Sequence, residues 1–177
     1  LDQFIRKQIP FFLTEEEYAT AETLLRRYAT DSQGIRDWAV YLLLRGQIDS
    51  EIEAAEQQIA NSSNDVEMVA LARRRLVHFH RAKGDAEQAL TVAREMGSHQ
   101  PSDDNDKKLL RDLLYDQRAW SELATMNALA AVVKENETPN FEALGCSAAY
   151  HRLNGEKQQF DVEIKVIAEY AQHHATG

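Results

Sequence analysis

The chain has 177 residues, 44% of them hydrophobic and 28% charged, with a net charge of −9. These values describe a folded chain long enough to bury a core, and they argue against general binding to nucleic acid, whose affinity rests on neutralising phosphates. A single cysteine, Cys146, excludes an internal disulfide, and the longest apolar runs, Ala39–Leu44 and Ala128–Val133, are far shorter than the roughly 20 residues that span a bilayer.

Leu1 to Gln8 is a short amphipathic piece that stops near Pro10. Thr14-Glu15-Glu16-Glu17 has the form of a capping box, and Tyr18, Ala21, Leu24, Leu25 and Tyr28 then recur at helical spacing. Thr30 to Gly34 reads as a loop. A hairpin of about 35–45 and 49–60 follows, with Trp38, Ala39, Leu42 and Leu43 on one stripe and Ile52, Ala55, Ile59 and Ala60 on the other. Asn64 or Asp65 caps a helix over about 65–83 that carries Val69, Leu71, Ala72, Leu76, Val77, Phe79 and His80. Asp85 caps the next, with Ala86, Ala89, Leu90, Ala93 and Met96 inward and Gly97 as its stop.

Ser98 to Asp106 is the longest polar loop. Leu109, Leu110, Leu113 and Leu114 stripe a helix over about 104–115, and Trp120, Leu123, Met126 or Asn127, Ala130 and Val133 stripe its mate over about 118–134. Glu135 to Thr138 is a polar break before Pro139, which suits a first helical turn. The last hairpin pairs about 140–154 (Phe141, Leu144, Ala148, Tyr150) with 156–174 (Phe160, Val162, Ile164, Ile167, Tyr170). Gln158, Glu163, Glu169, Gln172 and His173 supply a polar outer face. No alternating strand pattern occurs, so the fold class is all-α.

The interruptions repeat. Arg45-Gly46-Gln47-Ile48, Lys83-Gly84-Asp85-Ala86 and Asn154-Gly155-Glu156-Lys157 each end one helical pattern and begin another, and Arg118 fills the same place without glycine. Such a period predicts stacked helical hairpins, in units of about 1–30, 35–60, 65–97, 104–134 and 139–175. One hairpin of two short helices cannot cover both of its apolar faces, whereas stacking covers them.

Leu71 to Met96, with Gly84-Asp85 followed by Glu87-Gln88-Ala89-Leu90, resembles a tetratricopeptide repeat. Thr14 to Tyr28 is similar to a second helix of that family, and Trp38, Ala39 and Leu42 suit a first helix. The resemblance implies a right-handed superhelical array of antiparallel helix hairpins, whose first helices line a concave groove that holds a protein or peptide partner. By position, the groove-facing residues are Arg36, Arg74, His78, Arg81, Lys108, Tyr115 and Arg152. Arg74, His78 and Arg81 share one helical face at i, i+4 and i+7 whatever the family. That face either attracts an acidic segment or forms a solvated surface bonded to Glu or Asp of the next unit.

Catalytic and metal patterns are missing from the sequence. His78 and His80 point about 200° apart on a helix. His80 and His151 both lie four residues before a turn glycine, a placement that favours packing between helices. Cys146 sits among small apolar residues and reads as a buried packing cysteine. Asp103-Asp104-Asn105-Asp106 lacks the glycine and glutamate of a calcium loop and reads as helix capping. Arg73-Arg74-Arg75 fans around a helix and is weak evidence for nucleic acid. No phosphate-binding glycine loop occurs.

The expectation is therefore a non-enzymatic interaction scaffold with no cofactor and no metal, binding a protein or peptide segment, with an acidic segment as one candidate. The alternative is a helical accessory or recruitment domain of a larger enzyme or cell-envelope assembly, since Leu1 and the Ala-Thr-Gly end suggest a segment of a longer chain. The single cysteine slightly favours the cytoplasm, with the periplasm open.

Overall fold

The computed structural model describes residues 15–62, 64–99, 104–131 and 139–174, and every regular element among them is an α-helix. In chain order these are α1 (Glu15–Tyr28), α2 (Ser32–Leu44), α3 (Ile48–Asn61), α4 (Val66–Lys83), α5 (Ala86–His99), α6 (Asp104–Asp116), α7 (Trp120–Ala131), α8 (Phe141–Leu153) and α9 (Lys157–His174). The amphipathic piece at 1–8, the capping box at Thr14 and the polar break at 135–138 lie outside the described residues. No helix among the described residues is long and apolar enough to cross a membrane.

Four turns share one backbone conformation. Gly46, Gly84, Arg118 and Gly155 are the positive-φ residues of the described chain, at 67°, 82°, 55° and 80°. In each turn the following N–H donates to the carbonyl five residues back: Gln47 to Leu42, Asp85 to His80, Ala119 to Leu114 and Glu156 to His151, all at 2.8–2.9 Å. The positive-φ residue itself donates three residues back, to Leu43, Arg81, Tyr115 and Arg152. This Schellman-type closure satisfies carbonyls that the helix end leaves orphaned, and it requires a left-handed residue. Glycine adopts that conformation without penalty; Arg118 does so at a cost of about 1 kcal/mol.

Side-chain caps begin the helices that follow loops. Asp31 accepts from the Gly34 N–H at 2.7 Å, Asp65 from Met68 at 3.0 Å, and Asn140 from Ala143 at 3.1 Å. Each contributes about 1 kcal/mol. Several boundaries differ from the sequence reading. The loop expected over Thr30–Gly34 is shorter, because Asp31 caps α2 and Gly34 lies inside the helix. Gly97 does not stop α5, which continues to His99. Pro139 precedes the Asn140 cap and is not in the first turn of α8.

The chain divides into two compact units, Leu1–Leu110 and Arg111–Gly177, with the division inside α6. In the first unit α1 packs on α2, α2 on α3 and α4, and α4 also on α3 and α5. Its core gathers Leu25, Ile35, Trp38, Leu42, Ile52, Leu76 and Phe79. Trp38 stacks on Tyr41 with ring centroids 5.6 Å apart, and the Tyr41 hydroxyl donates to the Tyr18 carbonyl at 3.0 Å. Gly34 admits the tight passage from α1 to α2, since a Cβ there would lie 2.0 Å from the Tyr28 carbonyl oxygen. Leu43 departs from its predicted stripe and is exposed, while Tyr41 takes an inward place beside Trp38 and Leu42.

In the second unit α7 packs on α8 and α8 on α9. Leu113, Leu114, Leu123, Ala124, Ala131, Ala143, Ser147 and Ala148 are buried, and the small residues among them admit close helix approach. No described side chain of α9 is fully buried; Val162 and Ile164, expected inward, are exposed. Phe141 packs against Tyr170, which joins the two ends of the α8–α9 pair.

Candidate functional site

The predicted groove residues fall in both units. Arg36, Arg74, His78, Arg81 and Lys108 belong to the first, and Tyr115 and Arg152 to the second. Within the first unit, α2 packs directly against α4, which brings Arg36 toward the Arg74–His78–Arg81 face. Arg36, Arg81 and Lys108 are exposed.

Arg74 is committed to an acidic partner. Its Nε meets Asp106 Oδ1 at 2.5 Å and its Nη2 meets Oδ2 at 2.8 Å, a two-pronged pairing in a largely buried setting. Asp106 lies in the first turn of α6, so its charge also opposes the positive end of that helix. The aspartates of this segment were expected to serve as caps; Asp106 instead ties α6 to α4.

His78 is 3% exposed and offers no surface of its own. Its Nε2 is buried without a hydrogen-bond partner. Burial, reinforced by the Arg36 and Arg81 guanidiniums nearby, pushes its pKa down to about 4. The imidazole is therefore neutral at physiological pH. Of the neighbouring arginines, Arg75 is turned toward the Ala29 carbonyl at 3.4 Å, and burial lowers its pKa. Arg74 and Arg75 thus turn to different neighbours, as consecutive helical positions must.

A feature the sequence reading missed lies on α2. Val40, Leu43 and Leu44 are 49%, 43% and 81% exposed. With Arg36 they occupy i, i+4, i+7 and i+8, one continuous helical face. The signal was present in Ala39–Leu44, whose six apolar residues exceed what one inward stripe of a half-buried helix absorbs.

In the second unit Tyr115 is exposed and meets Trp120 edge-on at 5.4 Å, and Trp120 stacks on Tyr150 at 6.0 Å. Burial raises the Tyr150 pKa. Arg152 is exposed and lies over the Phe160 ring at 5.4 Å. Beside it runs a polar chain. Ser147 Oγ lies 2.7 Å from Glu163 Oε1 and 3.2 Å from the Ala124 carbonyl, two acceptors for one hydroxyl proton. His151 Nε2 stands 3.7 Å from the same Glu163 oxygen, and its Nδ1 binds Glu156. That bond, with a second from Asn154, holds the Glu156 carboxyl below its usual range. Glu163 is therefore part of the α8–α9 contact and not of the outer polar face.

His80 occupies the equivalent place in the first unit, with its Nδ1 3.9 Å from Asp85. Cys146 is exposed, which corrects its reading as a buried packing residue. Among the described residues no group of three or more His, Cys, Asp or Glu side chains is arranged to hold a metal ion. Compared with known proteins, the chain matches no family model, no curated protein and no solved structure.

Proposed function

We propose that this chain is an interaction scaffold, built of helical hairpins stacked in the manner of tetratricopeptide repeats, that holds a partner segment on the first-helix side of its hairpins. The observation that carries the reading is the exposed row Arg36, Val40, Leu43 and Leu44 on α2. A helix already buried along Ile35, Trp38, Ala39 and Leu42 has no packing need for a second apolar row. Exposed apolar surface of this kind marks interaction sites. The four equal turns support the hairpin arrangement, as does the packing of α4 on both α2 and α3.

The mode of recognition is a short segment, extended or helical, whose apolar side chains cover the row while charged groups fix its direction. Selection of a displayed library of random peptides of about twelve residues against the chain tests this. Enriched sequences should lose binding to a Leu44→Asp variant that keeps wild-type helicity and Tm. A selection that enriches nothing above a bare-support control overturns the reading.

A further inference from the structure

We infer that the outer face of α9 is a docking surface for a second copy of this chain, which lies antiparallel to it about a two-fold axis passing midway between Asp161 and Lys165. The inference stands apart from the scaffold reading, since it uses the second unit alone and nothing of the α2 row.

The first observation is apolar exposure. One face of α9 is turned to α8, where Glu163 meets Ser147, Phe160 lies under Arg152, and Tyr170 meets Phe141. A helix that packs by one face is ordinarily polar on the other. Outside that contact, however, Val162, Ile164 and Val166 are 63%, 42% and 44% exposed. Branched side chains contribute little to an exposed helix, and such surface marks contact with another molecule.

The second observation, the order of charge, names the occupant. Lys157, Asp161, Lys165 and Glu169 stand four residues apart on one ridge of α9, all exposed, and their signs alternate. Val162 and Val166 flank the ridge on one side, Ile164 and Ala168 on the other. Read from the opposite end, the series is its own complement. Antiparallel pairing about the midpoint sets Lys157 against Glu169 of the second copy and Asp161 against its Lys165, and the two-fold repeats both pairs. Parallel pairing would set each charge beside its like. The commonest class of helix packing brings such ridges alongside each other, at a crossing angle of about −50°. Lys165 and Glu169 also meet within one copy at 3.6 Å, but their side chains are 75% and 57% exposed. That pair is weak, and the ammonium keeps donors for a second carboxylate. Copies of a chain of net charge −9 repel, whereas this ridge carries no net charge and lets two of them approach. One helix face per copy is a small interface, so the dimer is weak and salt-sensitive.

Sedimentation equilibrium of the whole chain at low ionic strength tests this. The chain should dimerise with a Kd below about 1 mM, and added salt should weaken the dimer. Asp161→Lys and Lys165→Glu, each checked for unchanged circular dichroism and Tm, should each weaken association at least about tenfold, because each sets like charges together twice per dimer. An equimolar mixture of the two variants should recover association as a heterodimer, since every contact between positions 161 and 165 again joins opposite signs. Mixing cannot repair a merely structural defect, so the recovery is specific to the antiparallel order. A chain that stays monomeric to about 1 mM overturns the proposal and leaves the face to a different protein. Variants that associate as the native chain does, or a mixture that associates no better than its components, overturn it as well. Dimerisation that survives both charge variants yet is lost in Leu44→Asp places the contact on the α2 row and overturns it equally.

Discussion

Arg74 and Asp106 face each other with both prongs engaged, at 2.5 and 2.8 Å, and through them α6 is fastened to α4. Two charges held largely away from water depend on each other, since removal of one leaves the other unpaired. Asp106→Ala should therefore destabilise the first unit by about 2 kcal/mol, read as a lower midpoint in urea denaturation. Arg74→Lys should recover little of the pairing, because an ammonium cannot reproduce the planar fork. The same pairing means that charge reversal at Arg74 perturbs folding, so the exposed row on α2 is where partner binding is read.

The turn residues give a pair of opposite predictions. Gly84→Ala meets no neighbouring atom within 4 Å, so its cost is the left-handed backbone alone, about 1 kcal/mol. Arg118→Gly relieves the same strain and should stabilise by about 1 kcal/mol. Chemical denaturation of the two variants, each referred to the native chain, should give shifts of opposite sign.

Gly34 is a different kind of glycine. Its conformation is helical, and what it provides is room beneath the Tyr28 carbonyl. Gly34→Ala forces α1 and α2 apart at their junction and should cost more than about 3 kcal/mol, the range of severe overpacking. Loss of the cooperative thermal transition of the first unit, with the helical signal partly retained, is the expected result.

Acidification should weaken the fold through His78 before it does so through carboxylates. The unfolded imidazole takes up a proton near pH 6.5, whereas the folded one resists until about pH 4. The unfolded state therefore binds more protons across that window, and stability falls as pH falls. Between pH 7.5 and 5 the loss should be roughly 2 kcal/mol, and His78→Gln should flatten it. Glu156 acts lower on the scale. Its depressed pKa stabilises the fold above the usual carboxylate range, and that contribution is lost as pH falls through the folded value.

Much of the backbone was legible in the sequence because positive φ leaves a chemical mark. Gly46, Gly84 and Gly155 announced the turns, and Arg118 was placed by spacing although it carries the wrong side chain for its conformation. The helical stripes around Trp38, Leu76, Phe79 and Leu113 were legible for the same kind of reason, since periodicity reports burial directly. Contacts that depend on a neighbouring helix were not legible. Nothing local distinguishes Asp106 from the aspartates beside it, or assigns Glu163 to Ser147 and His151 instead of to solvent. Gly34 and Gly97 look alike on paper and both lie inside helices, but Gly34 alone is pressed against a backbone carbonyl. Leu43 and Leu44 sit beside true core positions, and only the phase of α2 against its neighbours turns them outward.

The closure shared by Gly46, Gly84, Arg118 and Gly155 is made by main-chain atoms alone. Cutting two such chains at any of these seams and rejoining them crosswise conserves every bond of the closure, whatever side chains arrive with the new piece. Length can thus change by whole helices without altering the main-chain joints, and the seams are where grafted or shuffled modules should be spliced.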